Sequence, residues 1–319
     1  MPKASVFRFG FVGAGRIARV HAEALRELGG AEIVAWSAGH WHNAEKASGS
    51  FGGRPMTTED LLKHPEIDAV LISSPTPRHH EQTLAALAQG KHVFCEKPMT
   101  RTDEEAQAVL TAAKSSECGF YVGHTLRFFS RYAKARELLR AGAIGTLRRV
   151  ASRRLNAPPA EGRASWFFDF AQSGGCILDL MIHDFDFLQW CLGKPTRIEA
   201  ETAPNKDPEG WQHAIVHLYF KGGARAEVEG SWLHHRHERS LLLEGDNGKI
   251  TIDPDDGLLR LENSQGARVI DVPVVDGYRE QMHHFLEHLR SGAPLLVTPQ
   301  DAASALAIAL TALQKLGKE

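Results

Sequence analysis

The sequence predicts an α/β protein built from an N-terminal doubly wound parallel sheet and a C-terminal α+β domain whose sheet is mostly antiparallel. Three observations carry this expectation. A small-residue turn, Gly13-Ala14-Gly15-Arg16-Ile17-Ala18, sits between an apolar run and a segment of helical period. As far as Gly123, short apolar runs alternate with helical segments, the grammar of a parallel sheet covered on both faces. Beyond it, strand-like runs follow one another with hairpin signals at Gly222-Gly223 and Asp246-Asn247-Gly248. A chain of 319 residues exceeds what one core usually organises, so two domains are expected, 1–123 and 124–319.

Val6–Val12 reads as the first strand, and the helix after the glycine turn carries Ile17, Val20, Ala24 and Leu28 at helical spacing. Gly13 permits a tight turn, Gly15 lets backbone approach a pyrophosphate, and Ala18 lets the helix pack closely. With a strand before it and a helix after it, the motif points to dinucleotide binding, with Arg16 and Ile17 opening the helix. Glu32–Ser37 is the second strand. Where a ribose-binding carboxylate is expected, the chain runs Trp36-Ser37-Ala38-Gly39-His40 without an acid. That removes repulsion against a 2′-phosphate, which Ser37 and His40 suit, so NADP is slightly favoured over NAD.

Ile67–Ser73 is the next strand and ends at Ser74-Pro75-Thr76-Pro77, where two prolines delay the following helix to about Arg78. His79 opens that helix, either as an exposed cap or as a group at the cofactor edge. His92–Cys95 is a short buried strand followed at once by Glu96-Lys97-Pro98. Ligands of such sheets bind beyond the carboxyl ends of the strands, so this lysine is well placed for chemistry, although loop charges look the same in isolation. A helix over Glu104–Ser115 and a strand over Phe120–Gly123 complete the domain.

In the second domain a helix over Arg131–Arg140 precedes strands near 147–155, 196–202, 212–220, 224–233, 239–244 and 249–252. Two helices, Tyr278–Arg290 and Pro299–Leu316, end the chain. The insertion Trp166–Leu192 contains a breaker at Ser173-Gly174-Gly175 and then a helix. Asp179, His183 and Asp186 fall at i, i+4 and i+7 on it, sharing one face. Polar residues stacked on an otherwise apolar helix are costly unless they pair or work. An acid one turn before a histidine orients the imidazole for acid–base chemistry; a structural hydrogen bond and a metal site are the alternatives.

Composition excludes several classes. A net charge of −2 with 24% charged residues describes a globular protein without a polyanion-binding surface. Arg148, Arg149, Arg153 and Arg154 lie in an expected strand without a nucleic-acid motif around them. Four cysteines without C-x-x-C spacing fit free thiols in a reducing compartment. With no signal-peptide pattern and no run of about 18 apolar residues, the expected location is the cytoplasm, not a membrane. His234-His235-Arg236-His237 and His283-His284 have no third ligand tied to them by spacing, so no metal is expected.

The pieces together resemble the glucose–fructose oxidoreductase / inositol dehydrogenase (Gfo/Idh/MocA) family along nearly the whole chain. They are Gly13–Ala18, Ser74-Pro75 with His79, Gly90–Val93 running into Glu96-Lys97-Pro98, Arg127-Phe128, Gly142–Gly145, and Trp166 with Ser173–Gly175, Asp179, His183 and Asp186. The resemblance implies a Rossmann domain, a second domain with a large open sheet that forms homodimer or homotetramer contacts, and NAD(P)-linked hydride transfer on a sugar or polyol. It implies Lys97, Asp179 and His183 as the catalytic set, with His183 exchanging the hydroxyl proton and Lys97 holding the same oxygen. Ser73, Pro75, His79 and Glu96 join Gly13, Gly15, Arg16, Ile17, Ser37 and Lys97 along the cofactor. His124, Arg127, Asn156 and Trp166 are weaker candidates for substrate or nicotinamide, a structural role being as plausible for each. The rivals are a dinucleotide-binding regulator without catalysis, and glycoside cleavage or imine reduction on the same scaffold.

Overall fold

The computed structural model describes residues 6–157, 165–202, 207 and 210–318. By its contacts the chain forms two compact units. One runs to Thr125 and is rejoined by Asp276–Ala303; the other spans Leu126–Val275 and the residues from Ser304. The sequence assigns 276–303 to the second domain, whereas the contacts place them with the first.

The first unit contains β1 (Phe7–Val12), α1 (Arg16–Leu28), β2 (Ala31–Ser37), α2 (Trp41–Phe51), β3 (Arg54–Pro55), α3 (Thr58–Lys63), β4 (Ala69–Ile72), α4 (His79–Ala88), β5 (His92–Cys95), α5 (Asp103–Ser115) and β6 (Phe120–Val122). The strands form one parallel sheet in the order β3-β2-β1-β4-β5-β6, with the order reversing between β1 and β4. In such a sheet that reversal opens a crevice at the carboxyl ends of the strands. Phe9, Phe11, Trp36, Phe94 and Tyr121 are fully buried. Full burial of each large side chain contributes roughly 1.5–3 kcal/mol of hydrophobic stabilisation. The buried face of α1 is Ala18, His21, Ala22, Ala24 and Leu25; of the expected residues Ala24 is buried, while Ile17, Val20 and Leu28 are only half-buried. Small residues at 18 and 22 let the helix lie close to the sheet.

The second unit contains α6 (Ser130–Arg140), β7 (Leu147–Leu155), α7 (Phe170–Ser173), α8 (Ile182–Leu192), β8 (Pro195–Thr202), β9 (His213–Phe220), β10 (Arg225–Ser231), β11 (Glu238–Gly245), β12 (Gly248–Ile252), β13 (Leu259–Asn263) and β14 (Gly266–Val269). Near the end of the chain come α9 (Gly277–Ser291), which belongs to the first unit, and α10 (Pro299–Lys315). The eight strands lie in the order β14-β13-β12-β11-β7-β10-β9-β8, antiparallel except for the β7–β10 pair. Alternation sets the two faces: Ala214, Val216, Leu218 and Phe220 of β9 are buried, while Ile215, His217 and Tyr219 face outward, half-buried. Charged cross-strand pairs run over the outward face, including Arg153 with Glu229 and Arg149 with Glu244.

Within the first unit, α9 lies on α1. Phe285 meets Phe9 and Phe94, Tyr278 stands edge-on to His21, and Arg279 pairs with Glu27.

Candidate active site

The expected cofactor residues of the first unit converge because strand polarity places them together. Gly13 follows β1, Ser37 ends β2, Ser73 follows β4, and Glu96-Lys97 follow β5, all at the carboxyl edge of the sheet. Gly13 has φ +109° and donates its N–H to the Ser37 carbonyl at 2.9 Å. A Cβ built on Gly13 would lie 2.6 Å from the Ser73 carbonyl carbon. Only glycine fits that turn. Helix α1 then begins at Gly15 with no side-chain cap and no acid in its first turn. A Cβ on Gly15 would meet nothing within 4 Å, so there is open space beside the N-terminus of the helix. The donor set and the room suit a pyrophosphate. Gly13→Ala is expected to weaken coenzyme binding at least ~10-fold, with ~1–3 kcal/mol of strain from the forced backbone. Fluorescence titration of reduced coenzyme checks it, and unchanged affinity would remove the turn from the site.

Ser37 is buried and accepts a hydrogen bond from Thr58 Oγ1 at 3.2 Å. His79 is buried, with its ring nitrogens 2.7 Å from the Pro98 carbonyl and 2.9 Å from the Ser74 carbonyl. It therefore ties the loop after β4 to the turn after β5. Burial pushes its pKa below the usual histidine value, against the opposing pull of the two carbonyls.

Glu96 is buried beneath this edge. One carboxylate oxygen lies 2.7 Å from His21 Nε2 of α1, and the other accepts the backbone N–H of Lys97 at 3.1 Å. Burial raises its pKa, but the His21 contact and the Lys97 charge outweigh that and hold it below the usual carboxylate range. Gly123 leaves room for the carboxylate: a Cβ there would stand 3.0 Å from Glu96 Oε1. Lys97 itself is half-buried and its peptide bond to Pro98 is cis. His21 is the residue that sequence reasoning missed. Its signal was a lone histidine three residues after Ala18, on the small-residue face of α1.

In the second unit, the segment expected to be one regular helix opens instead with a π-helical turn, Ile177–Met181, and becomes α-helical at Ile182. Such turns reset helical phase and are common at functional sites. Asp179 and His183 are half-buried, while Asp186 is fully buried, so the three do not share one environment. Asp186 receives Arg127 in a two-point pair, Nε to Oδ2 at 2.9 Å and Nη2 to Oδ1 at 2.7 Å. Arg127 is thus engaged in a buried structural pair. Asp184 makes the equivalent pair with Arg154 and accepts from Ser152 Oγ at 2.8 Å. Asn156 Oδ1 lies 2.8 Å from His237 Nδ1, and Trp166 stacks on Phe167 with ring centroids 4.0 Å apart. His124 is buried just beyond β6 of the first unit.

A parallel sheet in this order, with a glycine turn feeding a helix, defines a dinucleotide-binding domain. The family comparison agrees: residues 7–124 match the Gfo/Idh/MocA oxidoreductase family with its NAD-binding Rossmann fold, and residues 132–251 match the Gfo/Idh/MocA C-terminal domain. The chain belongs to the Gfo/Idh/MocA family and is an NAD(P)-dependent oxidoreductase. It is 28% identical to a myo-inositol 2-dehydrogenase of Thermotoga maritima, over 97% of this chain and 96% of that protein. It is 29% identical to the scyllo-inositol 2-dehydrogenase (NAD+) of Bacillus subtilis, over 96% of this chain and 93% of that protein. Among solved structures it is similar to a biliverdin reductase of Synechocystis in complex with biliverdin and NADP+. There the TM-score is 0.86 at 27% identity, covering 98% of this chain and 100% of that one. Among the described residues, no helix is long and apolar enough to cross a membrane.

Proposed function

We propose that the enzyme exchanges a hydride between the nicotinamide of NAD(P) and a hydroxyl-bearing carbon of a sugar, polyol or related small molecule. In the oxidative direction His183 takes the hydroxyl proton as hydride leaves the carbon, and in the reductive direction it returns that proton. The Lys97 ammonium donates to the same oxygen and stabilises its developing negative charge. Asp179 contacts the substrate or orients His183. The observation that carries this reading is the seat of Lys97. Its backbone N–H is held by a buried, ionised Glu96 that is itself fixed by His21, at the edge of the sheet where the glycine turn lies. Kinship with inositol 2-dehydrogenases supports a polyol or sugar as substrate class.

The end of β2 favours NADP. Residues 37–40 carry no acid, and a Cβ on Gly39 would meet nothing within 4 Å, which leaves room for a 2′-phosphate. The outward face of the eight-stranded sheet is the surface through which the chain pairs into a homodimer or homotetramer. Its four free thiols suit a cytoplasmic setting. Separate titrations with NADPH and NADH, followed by a screen of inositols, aldoses and sugar phosphates for a change in nicotinamide absorbance, test the proposal. NADPH is expected to bind more tightly, and Ala38→Asp to reverse the order. Turnover of biliverdin but of no polyol would place the chain with the bilin reductase instead; coenzyme binding without any turnover would favour a regulator.

A further inference from the structure

The outward face of the second unit brings together three metal-ligating side chains that are scattered in the sequence. His213 opens β9, Glu229 lies on β10, and His234 lies just beyond the end of β10. One ligand atom from each falls within 4.8 Å of the other two. We propose that these residues form a binding site for a divalent transition ion of the zinc class.

Strand pairing builds the cluster. His213 is registered opposite Ser231 in the β9–β10 ladder, so Glu229, two residues back on the same face, is its diagonal neighbour. The chain after β10 is fixed by hydrogen bonds from Trp232 N to the Gln212 carbonyl and from His234 N to the Asn156 carbonyl. These bonds hold the segment beside the residues that flank β9 and β7, and from there the His234 side chain comes within reach of His213 and Glu229. The backbone N–H of His213 is in turn held by Asp207 Oδ2 at 3.0 Å. All three ligands therefore stand on hydrogen-bonded backbone, as a preorganised site requires.

The spacing suits an ion better than a direct bond. His213 Nε2 and Glu229 Oε1 are 3.7 Å apart, beyond a good hydrogen bond. Ligands about 2.0–2.2 Å from a tetrahedral zinc stand about 3.3–3.5 Å from one another, so the ion would draw the 3.7 Å pair in slightly and the wider separations, within 4.8 Å, by as much as about 1.4 Å. Arg153 Nε donates to the other oxygen, Glu229 Oε2, at 2.7 Å. That contact orients the carboxylate and leaves Oε1 for one-point ligation. Two imidazoles and one carboxylate favour zinc, cobalt or nickel over magnesium and calcium, which prefer all-oxygen shells. A three-residue set leaves a fourth position for water or another donor.

The test is equilibrium titration of Zn2+ into the chelator-treated full chain, carrying no added histidines, with Mg2+ as the control ion. One Zn2+ per chain at micromolar affinity or tighter is expected, with no response to Mg2+. Zinc-edge anomalous scattering from soaked crystals of the unaltered protein should put the ion between these three side chains. His234→Ala and Glu229→Gln are each expected to weaken binding at least ~10-fold. The double variant His235→Ala/His237→Ala should bind as the parent does. Circular dichroism and melting in chelator establish that each variant is folded. Zinc binding weaker than about 100 µM, binding indifferent to His234→Ala, or an anomalous peak elsewhere would overturn the proposal and leave His213 and Glu229 as an ordinary electrostatic pair.

Discussion

Lys97→Ala and His183→Ala are each expected to lower turnover of the true substrate at least ~100-fold while coenzyme binding persists. The two losses have different physical origins. Without the imidazole, proton transfer to or from the substrate oxygen falls to water, and positioned general acid–base groups contribute roughly 10²–10⁴-fold. Without the ammonium, the negative charge that builds on that oxygen loses a preorganised donor, for which ~2.7–4 kcal/mol is a typical loss. If both groups act on one oxygen, as proposed, the double variant should lose less than the product of the two single losses. Lys97→Arg is the informative conservative change. It keeps the charge but replaces a compact ammonium with a planar fork, so partial activity is expected. Single-turnover kinetics decide the matter, run with the preferred coenzyme, oxidised for a hydroxyl substrate and reduced for a carbonyl one. Near-normal rates in both alanine variants would sink the proton-transfer assignment while leaving the dinucleotide fold untouched.

The parts of this molecule that were legible in its sequence are those whose cause is local. Gly13 announces a turn because only glycine tolerates its backbone conformation and the close approach of Ser73. Most β strands show themselves through apolar runs or alternation, whereas the two-residue β3, Arg54–Pro55, shows neither. Helix α2 was not legible, because Ser48, Gly49 and Ser50 give it weak helical propensity; it is held by packing, with Phe51 against Trp36. Nor was the return of α9 to the first unit, which depends on aromatic contacts between residues hundreds of positions apart, such as Phe9 with Phe285. At the site, Lys97 and His183 stood out by motif and spacing, but the phase of the helix did not. The sequence did not announce the π-helical turn at Ile177–Met181, nor that Asp186 would be buried against Arg127 while Asp179 and His183 stay half-buried. Arg127 read equally as a substrate contact or a structural ion pair, since an arginine held by a buried acid and one awaiting an anion look alike until the partner is located.

Asp184→Ala should destabilise the second unit by ~3–5 kcal/mol, the usual cost of leaving one member of a buried ion pair without its partner. The side chains of Arg154 and Asp184 are 4% and 2% exposed, so water cannot replace the lost carboxylate. Arg154 cannot escape by losing its proton either. Burial alone lowers its pKa, but Asp184 and the Tyr132 hydroxyl more than offset that in the folded protein, and an arginine stays charged at any ordinary pH. The variant also strands Ser152 Oγ, which donates to the same carboxylate. A loss of this size is a large share of the ~5–15 kcal/mol by which domains are stable. Under the proposed role of His183 the consequence would extend to activity, since Asp184 adjoins His183 on α8 and Asp186 two residues on makes a second buried pair with Arg127. These pairs tie the helix to β7 and to the segment before α6, fixing the backbone that carries His183. Urea unfolding followed by circular dichroism measures the loss, and the double variant Asp184→Leu/Arg154→Met should recover most of it, since no buried charge is then left alone. A midpoint for Asp184→Ala within ~1 kcal/mol of the parent would mean that α8 is held by its apolar face alone.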